Sequence, residues 1–441
     1  MDSSIIVSKF GSSSLVDAER IKRTAEIIKS NPSRRYVVVS APGKSSPEDM
    51  QITDLLYIAY SRYEGRENFT EILDIIQDRF IEIVHGLGIN FDIASEIADL
   101  KKSLFFGKSK DNTASLGIAI MAKILAAYLG WNFVDASKII FIDKKDESLD
   151  KEKTFKAISE IIKPLPNAVI PGGYGVIDDI RIKMKSARGD TAGAALACAL
   201  NASVYEKWTD KEGIFTADPA FVENPLQIRH VTYKELIELT YMGINVIHED
   251  AVSLLMNTDI TTSILSVNNP DNKGTMITRT LPETAGRKVA ACISGRRKFK
   301  MLRINKMGLN KTYGIGEKVF GTFAKYRISC EHYISGIYNF AVVLKNPMFD
   351  IRRDDIIKEI TNAINPEGIT VEKDISLIAI IGEGMGTIKG IFAKIFDAVA
   401  DAGVKVHMID QGADDLNIVI GVYDDDFEKT VRALYQAMIL N

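Results

Sequence analysis

Lys9-Phe10-Gly11-Ser12-Ser13-Ser14 places an ammonium at the end of an apolar run and follows it with residues small enough for backbone N–H groups to approach a ligand. Amides presented in this way, next to the positive end of the following helix, favour phosphate. An ordinary strand-to-helix turn with a solvated lysine is the plainer alternative, and the hexapeptide alone does not separate the two. A second segment runs Trp208-Thr209-Asp210-Lys211-Glu212-Gly213-Ile214-Phe215-Thr216-Ala217-Asp218-Pro219. Polar loops at the carboxyl ends of buried strands are where open α/β sheets put ligands. Thr209 and Asp210 suit nucleotide and metal. As bare turn caps, Asp210 and Asp218 would need no such ligand, and the length of the segment favours function.

These residues need elements to hold them. Residues 4–10 are apolar and β-branched and read as a strand. Asp17 is a good N-cap, followed by Ile21, Ala25 and Ile28 at helical spacing. A second strand, 36–40, closes in Ala41-Pro42-Gly43. Between Ile52 and Gly130 the pattern is helical, over 54–60, 69–84, 93–104 and 116–129. Strand pieces are expected at 131–134 and 138–142, a helix at 151–162, and a strand at 168–170 ending in Pro171-Gly172-Gly173-Tyr174-Gly175. Arg188 to Leu200 reads as a loop feeding a helix of small residues, and 203–208 as another strand. Such alternation predicts a three-layer αβα domain around a mostly parallel sheet.

After about Ala285 the texture changes. One half runs from Phe299 through Ile315, Phe320 and Ile328 to Leu344, the other from Ile375 through Gly384, Ile391, Phe396 and Gly403 to Val422. Each half is expected to run strand, helix, strand, strand, helix, strand, an internal repeat of ferredoxin-like type. The boundary is placed between Thr284 and Val289, giving domains at 1–285 and 289–441, the latter split near 299–372 and 375–441.

The chain has 441 residues, 46% of them hydrophobic, enough for more than one packed core. Lys plus Arg number 55 and Asp plus Glu 58, for a formal charge of −3. That balance argues against nucleic acid and an anionic membrane as partners. The three cysteines, Cys198, Cys292 and Cys330, lack disulfide or metal spacing. His85, His230, His248, His332 and His407 have no second ligand at metal spacing and read as structural, so no protein metal site is expected. The opening MDSSIIVSKFGSSS has no basic n-region, and no run of about 18 apolar residues follows. A cytoplasmic protein is expected.

The ordered segments resemble the amino acid kinase family, and within it the aspartokinases, over essentially the whole chain. KFGSSSL (9–15), VVVSAPG (37–43), WTDKEGIFTADP (208–219) and KELIELTYMGINVIHEDAV (234–252) are similar to family segments. The C-terminal repeat resembles paired ACT domains, chiefly in IGEGM (381–385) and HMIDQGADDLNIVI (407–420). The resemblance implies ATP and Mg²⁺, with Lys9, Gly11 and Ser12 cradling the transferring phosphate. Thr209, Asp210 and Phe215 would hold the nucleotide, Lys9 and Asp190 would serve catalysis, and Ser40, Thr53 and Arg188 would line the acceptor site. The implied reaction is phosphorylation of the L-aspartate side chain. In the ACT region, Asn310, Gly314, Ser335 and Asn339 would bind lysine or threonine as effector, or else only build an interface. Pairing of ACT sheets implies a homodimer or a dimer of dimers.

Several residues depart from the family pattern. Ser115-Leu116-Gly117-Ile118 stands where a glutamate contacts the acceptor's ammonium, and Ser186-Ala187-Arg188-Gly189-Asp190 brings the arginine closer to the aspartate. Ser12, Gly173 and Ala220 replace a glycine, an aromatic residue and an arginine. Three readings remain open: aspartate phosphorylation with a remodelled acceptor site, phosphorylation of a related carboxylic or amino acid, and a non-catalytic sensor of amino acids.

Overall fold

The structure, a computed structural model, describes residues 4–105, 109–183, 189–283, 290–412 and 414–440. The chain divides into two compact units. One comprises Met1–Ile214, Gln227–Ile237 and Asn245–Ala285, the other Phe215–Leu226, Glu238–Ile244 and Gly286–Asn441.

The first unit opens with β1 (Ile6–Phe10), α1 (Ala18–Lys29) and β2 (Arg34–Val39), then α2 (Ile52–Glu64), α3 (Thr70–Leu87), α4 (Ile93–Phe105) and α5 (Lys110–Leu129). It continues through β3 (Asn132–Phe133), α6 (Lys151–Ile161), β4 (Ala168–Pro171), β5 (Tyr174–Ile177), β6 (Ile180–Lys183), α7 (Asp190–Ala199) and β7 (Val204–Thr209). Two short strands, β8 (Ile214–Phe215) and β9 (Gln227–Ile228), precede β10 (His230–Thr232), α8 (Tyr233–Tyr241), α9 (Glu249–Leu255), β11 (Thr261–Ser266) and β12 (Thr275–Thr278). Eight strands form one sheet in the order β10-β12-β11-β7-β1-β2-β4-β3. Every neighbouring pair is parallel except β11 with β12.

Every residue of β1 and β4 is buried, because helices cover both faces of a parallel sheet. On one face Phe10, Val37, Val39 and Trp208 join α1 to α5 in a single core through Ile21, Leu56, Phe80, Leu100 and Leu125. On the other face α7 packs on β1 and β7 and against α6 and α9. Its small residues are required there: a Cβ on Gly193 would stand 2.6 Å from the Tyr205 ring. The Asp17 side chain accepts from Arg20 N at the start of α1, as its position predicts. α5 is long and apolar enough to cross a membrane by length and composition, yet most of it is buried in this core.

Two local expectations change. Residues 138–142 form no strand: a 3₁₀ turn at Ala136–Lys138 is followed by single bridges, Phe141 to Val176 and Ile142 to Leu149. Instead β5 and β6 make a hairpin whose turn is Asp178-Asp179, both left-handed at φ 48° and 64°. Aspartate tolerates that region and suits a two-residue hairpin loop.

In the second unit six strands form one antiparallel sheet. They are β13 (Cys292–Asn305), β14 (His332–Ser335), β15 (Asn339–Leu344), β16 (Gly368–Ile381), β17 (Met408–Gln411) and β18 (Asn417–Tyr423), in the order β14-β15-β13-β16-β18-β17. Helices α10 (Ile315–Lys325), α11 (Pro347–Ile364), α12 (Ile391–Asp401) and α13 (Phe427–Tyr435) complete it.

The first half of the repeat runs strand, helix, strand, strand, helix, strand, as expected. The second does not. After α13 the chain turns into a π-helix at Gln436–Leu440, and residues 292–296 of β13 supply the missing strand beside β16. Each 14-residue strand therefore serves both halves. The pairing of β13 and β16 shifts register between Arg296 and Met301, close to Lys298 and Asp374, which are left-handed at φ 66° and 56°. Two separate cores result. One is built on Leu302, Phe323, Phe349 and Ile360, the other on Ile293, Ile378, Ile395, Phe427 and Leu434.

Candidate active site

Parallel register sets Lys9 of β1 beside Lys207 of β7. Between their ammonium groups lies the Asp190 carboxylate, 3.0 Å from Lys9 Nζ and 2.6 Å from Lys207 Nζ. The side chains of Lys9, Lys207 and Asp190 are 5%, 13% and 0% exposed, so this ion cluster is largely removed from water. Burial by itself raises the Asp190 pKa, but Lys9 and Lys207 outweigh it and hold the carboxyl below its ordinary range. The same burial, with Asp190 nearby, pushes the Tyr205 hydroxyl well up and keeps it neutral. The backbone N–H of His248 also donates to Asp190 Oδ2, at 3.3 Å.

Asp190 is the first residue of α7, and the glycine before it puts it there. Gly189 caps the helix at φ 73°, a left-handed conformation that costs glycine little. A Cβ on it would stand 3.3 Å from Lys9 Cε.

Above the cluster opens a cavity of about 440 Å³. Lys9, Gly11, Ser12, Ser13, Lys207, Trp208 and Thr209 form its strand-end wall. Ser12–Ser14 is a 3₁₀ turn, in which the buried Ser14 Oγ has no hydrogen-bond partner. Opposite stand Thr53, Asp54 and Tyr57 of α2 and Asp111, Ala114, Ser115 and Ile118 of α5. The four α5 residues recur at i, i+3, i+4 and i+7, one helical face. α2 and α5 come close because Gly117 has no side chain: a Cβ there would stand 2.8 Å from both Ile52 and Leu56. Ser40, Ala41 and Gln51 flank the loop after β2. Arg79 ties down that loop, donating to Gly43 O at 2.7 Å and Met50 O at 2.6 Å.

Of the residues expected from the sequence, Lys9, Gly11, Ser12, Ser40, Thr53 and Thr209 line this one cavity, and Asp190 lies beneath it. Asp210 does not line it, but its carboxylate accepts from the Thr209 hydroxyl at 2.9 Å. Phe215 belongs to the second unit and is not among the lining residues. Arg188 lies outside the described residues. Lys207, Asp54, Tyr57 and Asp111 were not anticipated. A lysine inside the buried run from Tyr205 to Trp208 was the signal for the first, and the α5 spacing was the signal for the last.

In the second unit, Gly314 caps α10 at φ 73°, Ser335 ends β14 and Asn339 begins β15. The bond from Lys306 N to Tyr338 O, 2.8 Å, sets the end of β13 beside that hairpin. The Asn310 side chain lies outside the described residues.

Among the described residues no group of three or more His, Cys, Asp or Glu side chains gathers as a metal site. Mg²⁺ commonly keeps its waters and binds through one or two carboxylates plus substrate phosphates, so a nucleotide-bound ion fits a site of this kind.

The chain is similar to known proteins over its whole length. The model of the amino acid kinase family matches residues 4–266, and an ACT domain model matches residues 378–438. Aspartokinase 3 of Bacillus subtilis is 30% identical over 448 residues, covering 98% of each chain. The crystal structure of Clostridium acetobutylicum aspartate kinase superposes with a TM-score of 0.90 at 36% identity, covering 99% of this chain and 100% of that one. Escherichia coli aspartokinase III, solved in complex with aspartate and ADP, shares the fold at a TM-score of 0.75 and 22% identity, over 99% of this chain and 100% of its own. With a mostly parallel kinase sheet in one unit and the paired ferredoxin-like halves in the other, the chain belongs to the amino acid kinase family, among the aspartokinases with C-terminal ACT domains.

Proposed function

We propose that this protein transfers the γ-phosphoryl group of ATP to the side-chain carboxylate of L-aspartate, giving 4-phospho-L-aspartate, the first step toward lysine, threonine and methionine. The observation that carries this reading is the buried Lys9–Asp190 pair at the foot of a cavity walled by Gly11, Ser12 and Thr209. An acceptor carboxylate is already ionised at neutral pH, so no general base is needed. One of its oxygens bonds to the γ-phosphorus as the bond to the β,γ-bridging oxygen breaks, and the electron pair leaves on ADP. Lys9 neutralises charge on the transferring group, and Asp190 aims Lys9. The turn at Gly11 and Ser12 cradles the phosphates, Thr209 with Asp210 orients the nucleotide, and Ser40, Thr53 and Arg188 receive the acceptor. Mg²⁺, when bound with ATP, shields the phosphate oxygens.

Two further roles belong to the same reading. Lysine or threonine binds the loops of Asn310, Gly314, Ser335 and Asn339 and biases the enzyme between active and inactive arrangements. The enzyme works in the cytoplasm as a homodimer or dimer of dimers, with an N-terminal kinase domain up to about residue 285 and ACT domains from about 289.

Ile118 favours a second reading. It lines the acceptor wall where a carboxylate would meet an ammonium, so a related acid lacking that ammonium would also fit. Incubation with Mg-ATP and each acid, trapping the acyl phosphate with hydroxylamine, decides between them. Aspartate hydroxamate is the expected product. Its absence, with hydroxamate formed from another acid, replaces the first reading by the second.

A further inference from the structure

Arg79 is not among the residues that line the cavity, yet one of its hydrogen bonds leads to the phosphate end. α3 holds it in place, since Ile76, Phe80 and Ile83 around it are buried in the core of the first unit. Its planar fork reaches into the loop between β2 and α2. There Nη2 donates to Gly43 O at 2.7 Å, and Nη1 donates to Met50 O at 2.6 Å. Asp49 closes the arrangement, 3.3 Å from Nη2 and itself accepting from Ser45 N and Oγ at 2.8 Å and from Met50 N at 2.7 Å. Residues 44–48 and Met50 are exposed, so this cluster, not apolar packing, fixes that stretch.

The loop in turn fixes Ser12. Gly43 N donates to Ser12 O at 3.0 Å, and Leu15 N donates to the same oxygen at 3.1 Å. The approach is tight: a Cβ on Gly43 would stand 2.8 Å from that oxygen and 2.9 Å from its carbon. The Ser12 carbonyl and the Ser13 N–H share one planar trans peptide, so a hold on the first orients the second. Both serines line the cavity. At the other end of the loop, Met50 leads into Gln51 and the start of α2, and Gln51 and Thr53 line the cavity as well.

We propose that Arg79 is a positioning residue for the transfer, setting the phosphate turn at Ser12 through Gly43 and the start of α2 through Met50; the inference rests on the phosphoryl-transfer reading above. Arg79 itself meets neither substrate and exchanges no proton. One side chain thereby sets the spacing between the phosphate turn and the acceptor wall.

The test is steady-state kinetics on Arg79→Met, Gly43→Ala and the double variant in the full chain, with whichever acid the hydroxamate assay identifies as acceptor. Arg79→Met should raise KM for ATP about tenfold, the equivalent of one hydrogen bond lost. Its kcat should fall roughly tenfold as the reacting atoms leave their line. Arg79→Lys keeps a charge beside Asp49 but cannot bridge two carbonyls with a planar fork, so it should recover only part. Gly43→Ala should raise KM for ATP in the same way. Because both changes act through the Ser12 carbonyl, the double variant should be little worse than the poorer single one. A fall in melting temperature with the KM for ATP unchanged would make Arg79 merely structural and overturn the proposal. Effects that multiply in the double variant overturn it too. If Arg79→Met unfolds, the comparison is run with Arg79→Lys, and an unchanged KM for ATP there is equally fatal. Failure of the wild type to phosphorylate any acid overturns the phosphoryl-transfer reading instead.

Discussion

A Cβ on Gly172 would stand 2.8 Å from the Cα of Gly189, so the two glycines touch backbone to backbone where β4 ends and α7 begins. That contact sets the height of Asp190, the next residue, above the sheet. Val38 leaves no room for retreat, since its Cγ1 would also be 2.8 Å from the new carbon. Gly172→Ala should therefore push the start of α7 outward, costing roughly 1–3 kcal/mol as overpacking does. Thermal melting should show a loss of a few degrees. Turnover should fall further than stability, because the Lys9–Asp190 pair is displaced. A variant with wild-type melting and wild-type kcat would show that the contact yields without moving Asp190.

Removing the Asp190 charge leaves two ammonium groups facing each other. Asp190→Asn should destabilise the protein by roughly 3–5 kcal/mol at neutral pH, the usual penalty for breaking a buried pair from one side. Because the folded pKa of Asp190 lies below its ordinary value of 3.8, the stabilisation is complete above that value. It is lost as the pH falls through the lower, folded value. Chemical unfolding of both proteins from about pH 7 to about pH 2.5 should show a gap that is constant at neutral pH and closes only at the acid end. A gap that already closed near pH 5 would mean that the carboxyl is not held down by Lys9 and Lys207.

Ile118 separates the two acceptors. Ile118→Glu puts a carboxylate on the α5 face that lines the cavity. With an α-ammonium acceptor such as L-aspartate, KM should drop about tenfold, the effect of one added charge-assisted hydrogen bond. Acids without the ammonium should become poorer substrates. Steady-state kinetics with aspartate and succinate reads both arms, and a rise in KM for aspartate alone would show that the acceptor's ammonium does not lie toward α5.

Much of the first unit was legible because its signals are local. The apolar run of β1, the Asp17 cap and the Gly-Ser turn after Lys9 each act within a few residues. Long-range pairing carried what was missed. Nothing near Lys207 announces that it sits level with Lys9, a register set by strands almost 200 residues apart. The hairpin at Asp178-Asp179 depended on aspartates adopting a left-handed turn, a conformation that sequence permits but does not demand. In the repeat, the periodicity of each half was readable. That residues 292–296 would close the second half was not, since a strand contributed from before the first half leaves no mark in the half it completes.

The shared strands make Gly295 a sensitive position. It lies in the part of β13 that pairs with β16, opposite Ile378. A Cβ there would meet Leu377 O at 2.6 Å and the Phe427 ring at 2.7 Å, backbone on one side and a buried core aromatic on the other. Neither yields cheaply, so Gly295→Ala should cost roughly 1–3 kcal/mol. Since residues 292–296 close only the second half, the damage should be local. Hydrogen exchange should accelerate in residues 292–296, 375–381 and 417–423, while strands β14 and β15 keep their protection. Equal acceleration in all six strands would show instead that the sheet opens as one cooperative unit, with the two long strands binding the halves into a single folding element.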